Sequence, residues 1–299
     1  MHLGDPLADR LGLNIPYEWW PTIPMLKEIE ASGFSWVQIP SPPASVLDNL
    51  RNCLAHAAAT AHNLSATSLG TILHAPTDLL LGTTESDRLF EGVLSYAAEC
   101  GASQIIYHAR AIPEEPASEP RLEAETRSLA RAALCAERLG IVIAIENLAP
   151  VYPGPQMASA IPHALRALAL RIGSEAVRLC LDVGHANVVA GLRRTALERL
   201  SDPVLDSVSI FHLHDNLGGR WQVGGADRSD LDPLRLDLHL PPGRGTIAWE
   251  RITPALARSE APLLLEVHHP HRPSPAELFE EAWELLASPT AIPPDQLTA

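Results

Sequence analysis

Residues 179–185 read LCLDVGH. The apolar run that leads into this stretch, VRLCLDV (177–183), has the composition of a buried strand. It nevertheless ends in an aspartate, with a histidine three positions later. A carboxylate taken out of water is costly unless it is paired or bound to a cation. Asp182 and His185 therefore mark either a structural hydrogen bond or a strand that ends at a reaction site.

Outward from this stretch the same grammar repeats. Short β-branched apolar runs alternate with helical stretches along the whole chain. LGLNIP (11–16) precedes a helix beginning PTIPMLKEIEAS. FSWVQIP (34–40) precedes a helix near 44–62, and the strand within SATSLGTILHAP (65–76) precedes one at ESDRLFEGVLSYAAEC. SQIIYHA (103–109) leads to a helix near 120–139, IVIAIEN (141–147) to one near 159–172, and VRLCLDV to one near 192–200. LDSVSIFHLHDN (205–216) is followed by a long loop and then TIAWERITPALARS, and PLLLEVHH (262–269) by AELFEEAWELLAS. Eight strand–helix units imply a parallel sheet that can close on itself. The expectation is one α/β domain, a single (β/α)8 TIM barrel over residues 1–287, with 288–299 as a flexible C-terminal tail. ARAIPEEPASE (109–119), rich in Pro and Glu, reads as an exposed loop.

The chain of 299 residues carries a formal charge of −14, and Lys27 is its one lysine. Binding a nucleic-acid duplex depends on cations that neutralise phosphates. No basic cluster is visible, so the charge balance disfavours that partner and favours a small-molecule substrate. Cys53, Cys100, Cys135 and Cys180 are scattered and read as reduced, mostly buried thiols. No signal core and no apolar run of about 18 residues is visible. The expected setting is cytoplasmic, away from membranes, with room for a homo-oligomer.

In a barrel of this kind the chemistry sits at the C-terminal ends of the strands. Those ends carry His74, His108, Glu146, Asp182 with His185, His212 with His214, and Glu266. Asp237 and His239 stand in the long loop after the seventh strand. Any one of these is a weak signal. Together, five imidazoles (His74, His108, His185, His212, His239) and four carboxylates around one mouth would repel unless cations were shared among them. Mixed nitrogen and oxygen donors suit zinc, manganese or iron, and nine groups exceed the needs of one ion. Tyr17, Trp19 and Trp20 in NIPYEWWP can form an aromatic wall that stacks on sugar rings. Arg244 in PPGRG can clamp a phosphate or carboxylate. His268 shares the face of Glu266 by two-residue alternation and is a candidate substrate contact.

IAIENLAP, LCLDVGHANVVAG, FHLHDN and DLHLPPGRGTI make the chain resemble the xylose isomerase-like TIM-barrel superfamily, which includes endonuclease IV. The resemblance covers about residues 11–285. It implies that His74, His108, Glu146, Asp182, His185, His212, Asp237, His239 and Glu266 are metal ligands for one to three ions. It also selects His212 over His214 as ligand, leaving His214 to contact substrate. The leading expectation from the full set of nine is a multinuclear enzyme that cleaves a phosphoester of a small metabolite with a metal-bound hydroxide. The alternative implied by the same resemblance is a single-metal sugar or sugar-phosphate isomerase, epimerase or dehydratase. There Glu146, Asp182, His212 and Glu266 would hold Mn, Co or Mg, Glu146 and Glu266 would exchange the proton, and His185 would contact the sugar. A lesser alternative is a multinuclear non-haem iron oxidative enzyme.

Overall fold

The computed structural model describes residues 5–151, 154–219 and 236–287. The tail expected at 288–299 lies outside the described residues. Eight parallel strands close into a barrel in chain order: β1 (Leu11–Asn14), β2 (Trp36–Pro40), β3 (Gly70–His74), β4 (Gln104–Tyr107), β5 (Val142–Glu146), β6 (Val177–Asp182), β7 (Val208–Leu213) and β8 (Leu263–Leu265). Closure is made where β1 pairs with β8, Leu11 opposite Leu263. The helices outside the barrel are α1 (Ile23–Ala31), α2 (Ala44–Leu47), α3 (Leu50–Leu64), α4 (Thr84–Cys100), α5 (Glu119–Leu139), α6 (Pro162–Ile172), α7 (Val183–Arg193), α8 (Glu198–Ser201), α9 (Trp249–Ala257) and α10 (Pro275–Ala287). This is the single (β/α)8 barrel that the alternation implies.

Local sequence explains where the helices stop and start. Thr83 and Ser86 form a reciprocal capping box that opens α4, satisfying amides that have no partner within the helix. Helices α4, α5 and α6 end on Gly101, Gly140 and Gly173, all in the left-handed region, which costs a residue without Cβ little. The four cysteines are free; Cys53, Cys100 and Cys180 are buried and Cys135 is half-buried. No helix among the described residues is long and apolar enough to cross a membrane.

One helix differs from its expectation. The sequence pattern after β6 points to a helix near 192–200, but α7 begins at Val183, directly on the strand. Asp182 is its N-cap, and its carboxylate accepts the amide of His185 at 2.6 Å. A side-chain acceptor at this position replaces a missing intrahelical partner. The valines and glycines of VGHANVVAG mask the helix because their intrinsic preference is weak.

The core has two parts. The larger lies between the strands and the helices. A smaller cluster fills the barrel's axis: Ile72, Ile106, Ala144, Cys180, Ile210 and Leu264, with Trp36 packed against it. Gly12 and Gly70 leave room for Trp36; a Cβ on either would lie under 3 Å from its side chain. Side chains alternate across a strand with period two. The next inward position on each strand is therefore Asn14, Gln38, His74, His108, Glu146, Asp182, His212 and Glu266. The apolar layer is the floor on which a polar ring stands.

Candidate metal and catalytic centre

The polar ring is one connected cluster. The ligand atoms of Glu146, Asp182, His212 and Glu266 all lie within 4.8 Å of one another. His212 is fully buried, and its Nε2–H donates to Gln38 Oε1 at 2.8 Å. That bond fixes the tautomer and turns Nδ1 to the centre, where it meets Glu146 Oε1 at 3.0 Å, Glu266 Oε2 at 3.1 Å and Asp182 Oδ2 at 3.6 Å. Gln38 also donates to Glu266 Oε1 at 3.3 Å. An imidazole oriented by an outer hydrogen bond, with its other nitrogen facing three carboxylate oxygens, is the arrangement of a divalent-cation site.

Two further groups adjoin this one. His74 and His108 point Nε2 at Glu146 Oε2, at 3.4 and 3.2 Å, so Glu146 is shared between two sets of donors. His74 Nδ1 contacts the Ala75 carbonyl at 2.7 Å and the Tyr17 hydroxyl at 2.5 Å. On the other side His185, His214, Asp237 and His239 form a third group. His185 Nδ1–H donates to the Asn147 carbonyl at 2.8 Å, leaving Nε2 toward Asp237 Oδ2 at 3.2 Å. His239 Nε2 meets the same oxygen at 2.8 Å. All nine expected ligands thus converge.

Electrostatics keep the centre ionised. Burial favours neutral Glu146, but His212, His108 and His74 outweigh it and hold its pKa well below the usual carboxylate value. Burial likewise opposes ionisation of Glu266, yet His212 holds its pKa down at about 2. Burial would deprotonate His212, but Cys180, Glu266 and Glu146 raise its pKa well above the ordinary imidazole value. The donors fit a divalent cation on a further ground: among the described residues the buried Glu146 Oε2 meets only the His74 and His108 ring nitrogens, at 3.4 and 3.2 Å, long contacts for a buried carboxylate oxygen that a bound ion satisfies better.

The other expected contacts divide. Trp19 and His268 line a cavity of about 470 Å³ at the mouth, beside Glu266 and His239. Trp20 is turned away and meets His56 of α3 edge-on at 4.3 Å. Arg244 does not reach either chamber of the mouth. Its turn directs it to α10, where it pairs with Glu281 at 2.6 Å. His214 is fully buried, donates toward Asp182 at 3.1–3.2 Å and stacks on His239 at 3.8 Å. It therefore supports the cluster rather than meeting substrate.

Three contributors were absent from the sequence expectations. Gln38 was a polar residue inside FSWVQIP, the one available signal. Asn147 brackets the Asp182 backbone, donating to its carbonyl and accepting its amide, both at 2.9 Å. Asp215 accepts from Trp249 Nε1 at 2.9 Å and from the amides of Asn216, Gly243 and Ile247. It pins the loop that carries Asp237 and His239.

Comparison with known proteins agrees with the barrel fold. A family model described as xylose isomerase-like TIM barrel matches residues 26–288. A D-tagatose 3-epimerase-like protein superposes with a TM-score of 0.68 at 18% identity, covering 93% of this chain and 97% of that one. A 3-keto-D-glucoside 4-epimerase from E. coli gives 0.66 at 14%, covering 93% and 99%. The IOLI protein with a bound zinc atom gives 0.66 at 16%, covering 93% and 98%. No curated protein matches the chain in sequence.

Proposed function

Since the chain belongs to the xylose isomerase-like TIM barrel family, and is an enzyme of that superfamily, we propose that it is a divalent-metal-dependent isomerase or epimerase of a small sugar or related polyhydroxylated carbonyl compound. The observation that carries this reading is the four-residue group Glu146, Asp182, His212 and Glu266, oriented by Gln38. Similarity in fold to two epimerases supports it. These observations favour isomerisation or epimerisation over phosphoester hydrolysis.

When bound there, a zinc, manganese or similar ion would polarise a substrate carbonyl and its neighbouring hydroxyl, acidifying the C–H between them. The protein's part is positioning and proton transfer. Glu146 and Glu266 flank His212 from two strands, and both line an inner chamber of about 270 Å³. Both are ionised, the form a general base needs. Glu266, the more accessible, takes the proton from carbon, and Glu146 returns it from the other side or to the adjacent carbon. Asp182 and His212, with Glu146 and Glu266, would hold the ion. His185, whose Nε2 faces the chamber, hydrogen-bonds a substrate hydroxyl. The mouth accepts a small molecule.

The test is solvent exchange. The metal-loaded protein, incubated in heavy water with a panel of ketoses and aldoses, free and phosphorylated, should place deuterium on the carbon beside the carbonyl. Glu146→Gln should abolish exchange, and Asp182→Asn should lower metal content by elemental analysis. Retained metal and unchanged melting in both variants would remove the metal-site reading. A second reading, multinuclear phosphoester hydrolysis, is favoured by the two adjoining donor groups around His74/His108 and His185/Asp237/His239. It predicts two or three ions per chain and release of phosphate or alcohol without deuterium incorporation.

A further inference from the structure

The barrel mouth contains two chambers that share a wall. The inner one holds the polar ring. The outer one, about 470 Å³, is bounded by Trp19, Glu18, His268 and Pro270. Tyr17, His239 and Glu266 line both. Glu266, placed to exchange a proton with carbon, therefore stands at the boundary.

Size separates the two. Sites for drug-sized ligands run about 300–1,000 Å³. The inner chamber, about 270 Å³, is below that range and the outer is within it. A single small sugar would occupy the inner chamber and leave the outer one to solvent.

The wall of the outer chamber is suited to a ring. Tyr17 and Trp19 both come from the β1–α1 connection and are 47% and 40% exposed. Neither is a core residue. Trp19 is held in place by the edge of His269, with ring centroids 4.8 Å apart and planes at 74°. Beneath the wall, Arg272 donates to the Asn14 carbonyl at 2.9 Å, to its side-chain oxygen, and to the Val267 carbonyl at 2.7 Å. It ties the end of β1 to the segment after β8, so the platform rests on a fixed base. Polar Glu18 and His268 border the aromatic surface, supplying hydrogen bonds of the kind sugar hydroxyls accept and donate.

We propose that the outer chamber is a subsite for a second ring. The substrate is then a two-ring compound whose reacting sugar keeps a carbonyl, either the reducing unit of a disaccharide or a glycoside with a ketone in its ring; that sugar sits in the inner chamber and the other ring, aromatic or sugar, lies against Trp19. The proposal rests on the isomerase or epimerase reading and adds the substrate's size.

Matched glycosides test it by calorimetry on the metal-loaded protein. The probes are the methyl and phenyl β-glycosides of glucose and galactose, with cellobiose for a second sugar ring. A phenyl glycoside or cellobiose should bind about tenfold more tightly than the matched methyl glycoside, the scale of one aromatic contact with its burial. Trp19→Ala should erase that advantage, bringing ring-bearing probes level with the matched methyl glycoside, while Trp19→Phe keeps part of it. Equal affinities for methyl and ring-bearing probes would overturn the subsite. So would an advantage that survives in Trp19→Ala, or equal loss for every probe. If methyl glycosides bind or monosaccharides exchange deuterium with no gain from the second ring, the subsite alone fails. If no sugar binds or exchanges, the isomerase reading fails with it.

Discussion

Gln38→Met replaces the side chain that accepts from His212 Nε2 with one of similar length. Gln38 is 3% exposed, and its amide bridges His212 at 2.8 Å and Glu266 at 3.3 Å. The thioether is a weak acceptor, so the buried Nε2–H loses its partner. An unsatisfied buried donor costs about 1–3 kcal/mol. For a chain of this size each kcal/mol lowers Tm by about 2–4 °C at most. The larger effect falls on the metal. Losing an outer hydrogen bond to a metal-binding histidine costs about 10–100-fold in affinity, or about 1.4–2.7 kcal/mol. Chelator competition with zinc or manganese, alongside melting of the apo form, separates the two effects. The variant should lose metal affinity by at least tenfold while remaining folded. A drop in apo Tm with unchanged metal affinity would refute the reasoning, because Gln38 would then be holding strands together rather than aiming His212.

Gly184→Ala should destabilise the protein by about 1–3 kcal/mol, the usual cost of overpacking, since the new Cβ would sit 2.1 Å from the His214 ring; urea unfolding measures it. Away from the centre, burial raises the pKa of Glu125 against the opposing bonds from the Arg110 amide and Tyr107 hydroxyl. A carboxyl whose folded pKa is raised favours the native state below its unfolded pKa, and that contribution is lost as pH rises through the folded pKa. Glu125→Gln keeps an acceptor for both donors without the charge. Melting curves should show wild type losing stability relative to the variant as pH rises from about 4 toward neutrality; parallel curves would contradict the assignment.

Much of the site was legible because the barrel imposes a strict period. Ile72, Ala144, Cys180, Ile210 and Leu264 pave the axis, and two residues on stand His74, Glu146, Asp182, His212 and Glu266. Polar residues ending apolar strands could therefore be read as one ring without knowing the loops. Gln38 obeys the same period but is uncharged, and an amide inside an apolar run costs less to bury than a carboxylate, so it is a weaker flag. Asn147 acts on the backbone of Asp182, and backbone partners leave no trace in side-chain chemistry. Arg244 and Trp20 show the limit from the other side. Their loops fix direction, and a loop's direction depends on turn geometry and on what packs beneath it. Arg244 finds Glu281 and Trp20 finds His56, contacts far apart in sequence that no local pattern reveals.

The choice between one ion and several turns on His74 and His108. Both aim Nε2 at Glu146 Oε2, while Glu146 Oε1 faces His212. A single ion at the four-residue group leaves these two histidines as partners of the second carboxylate oxygen. In that case they tune Glu146 through hydrogen bonds. A second ion would instead bind both histidines and Oε2, and its loss would leave the first group intact. The double variant His74→Gln, His108→Gln distinguishes these cases by elemental analysis, since glutamine can still donate a hydrogen bond but is a poor ligand beside imidazole. Unchanged stoichiometry, with deuterium exchange slowed but present, is the outcome expected of the isomerase. A fall by one ion per chain, with loss of phosphoester cleavage, would transfer the argument to the hydrolase. The two sets of donors share one carboxylate, so the count of ions decides what that carboxylate is for.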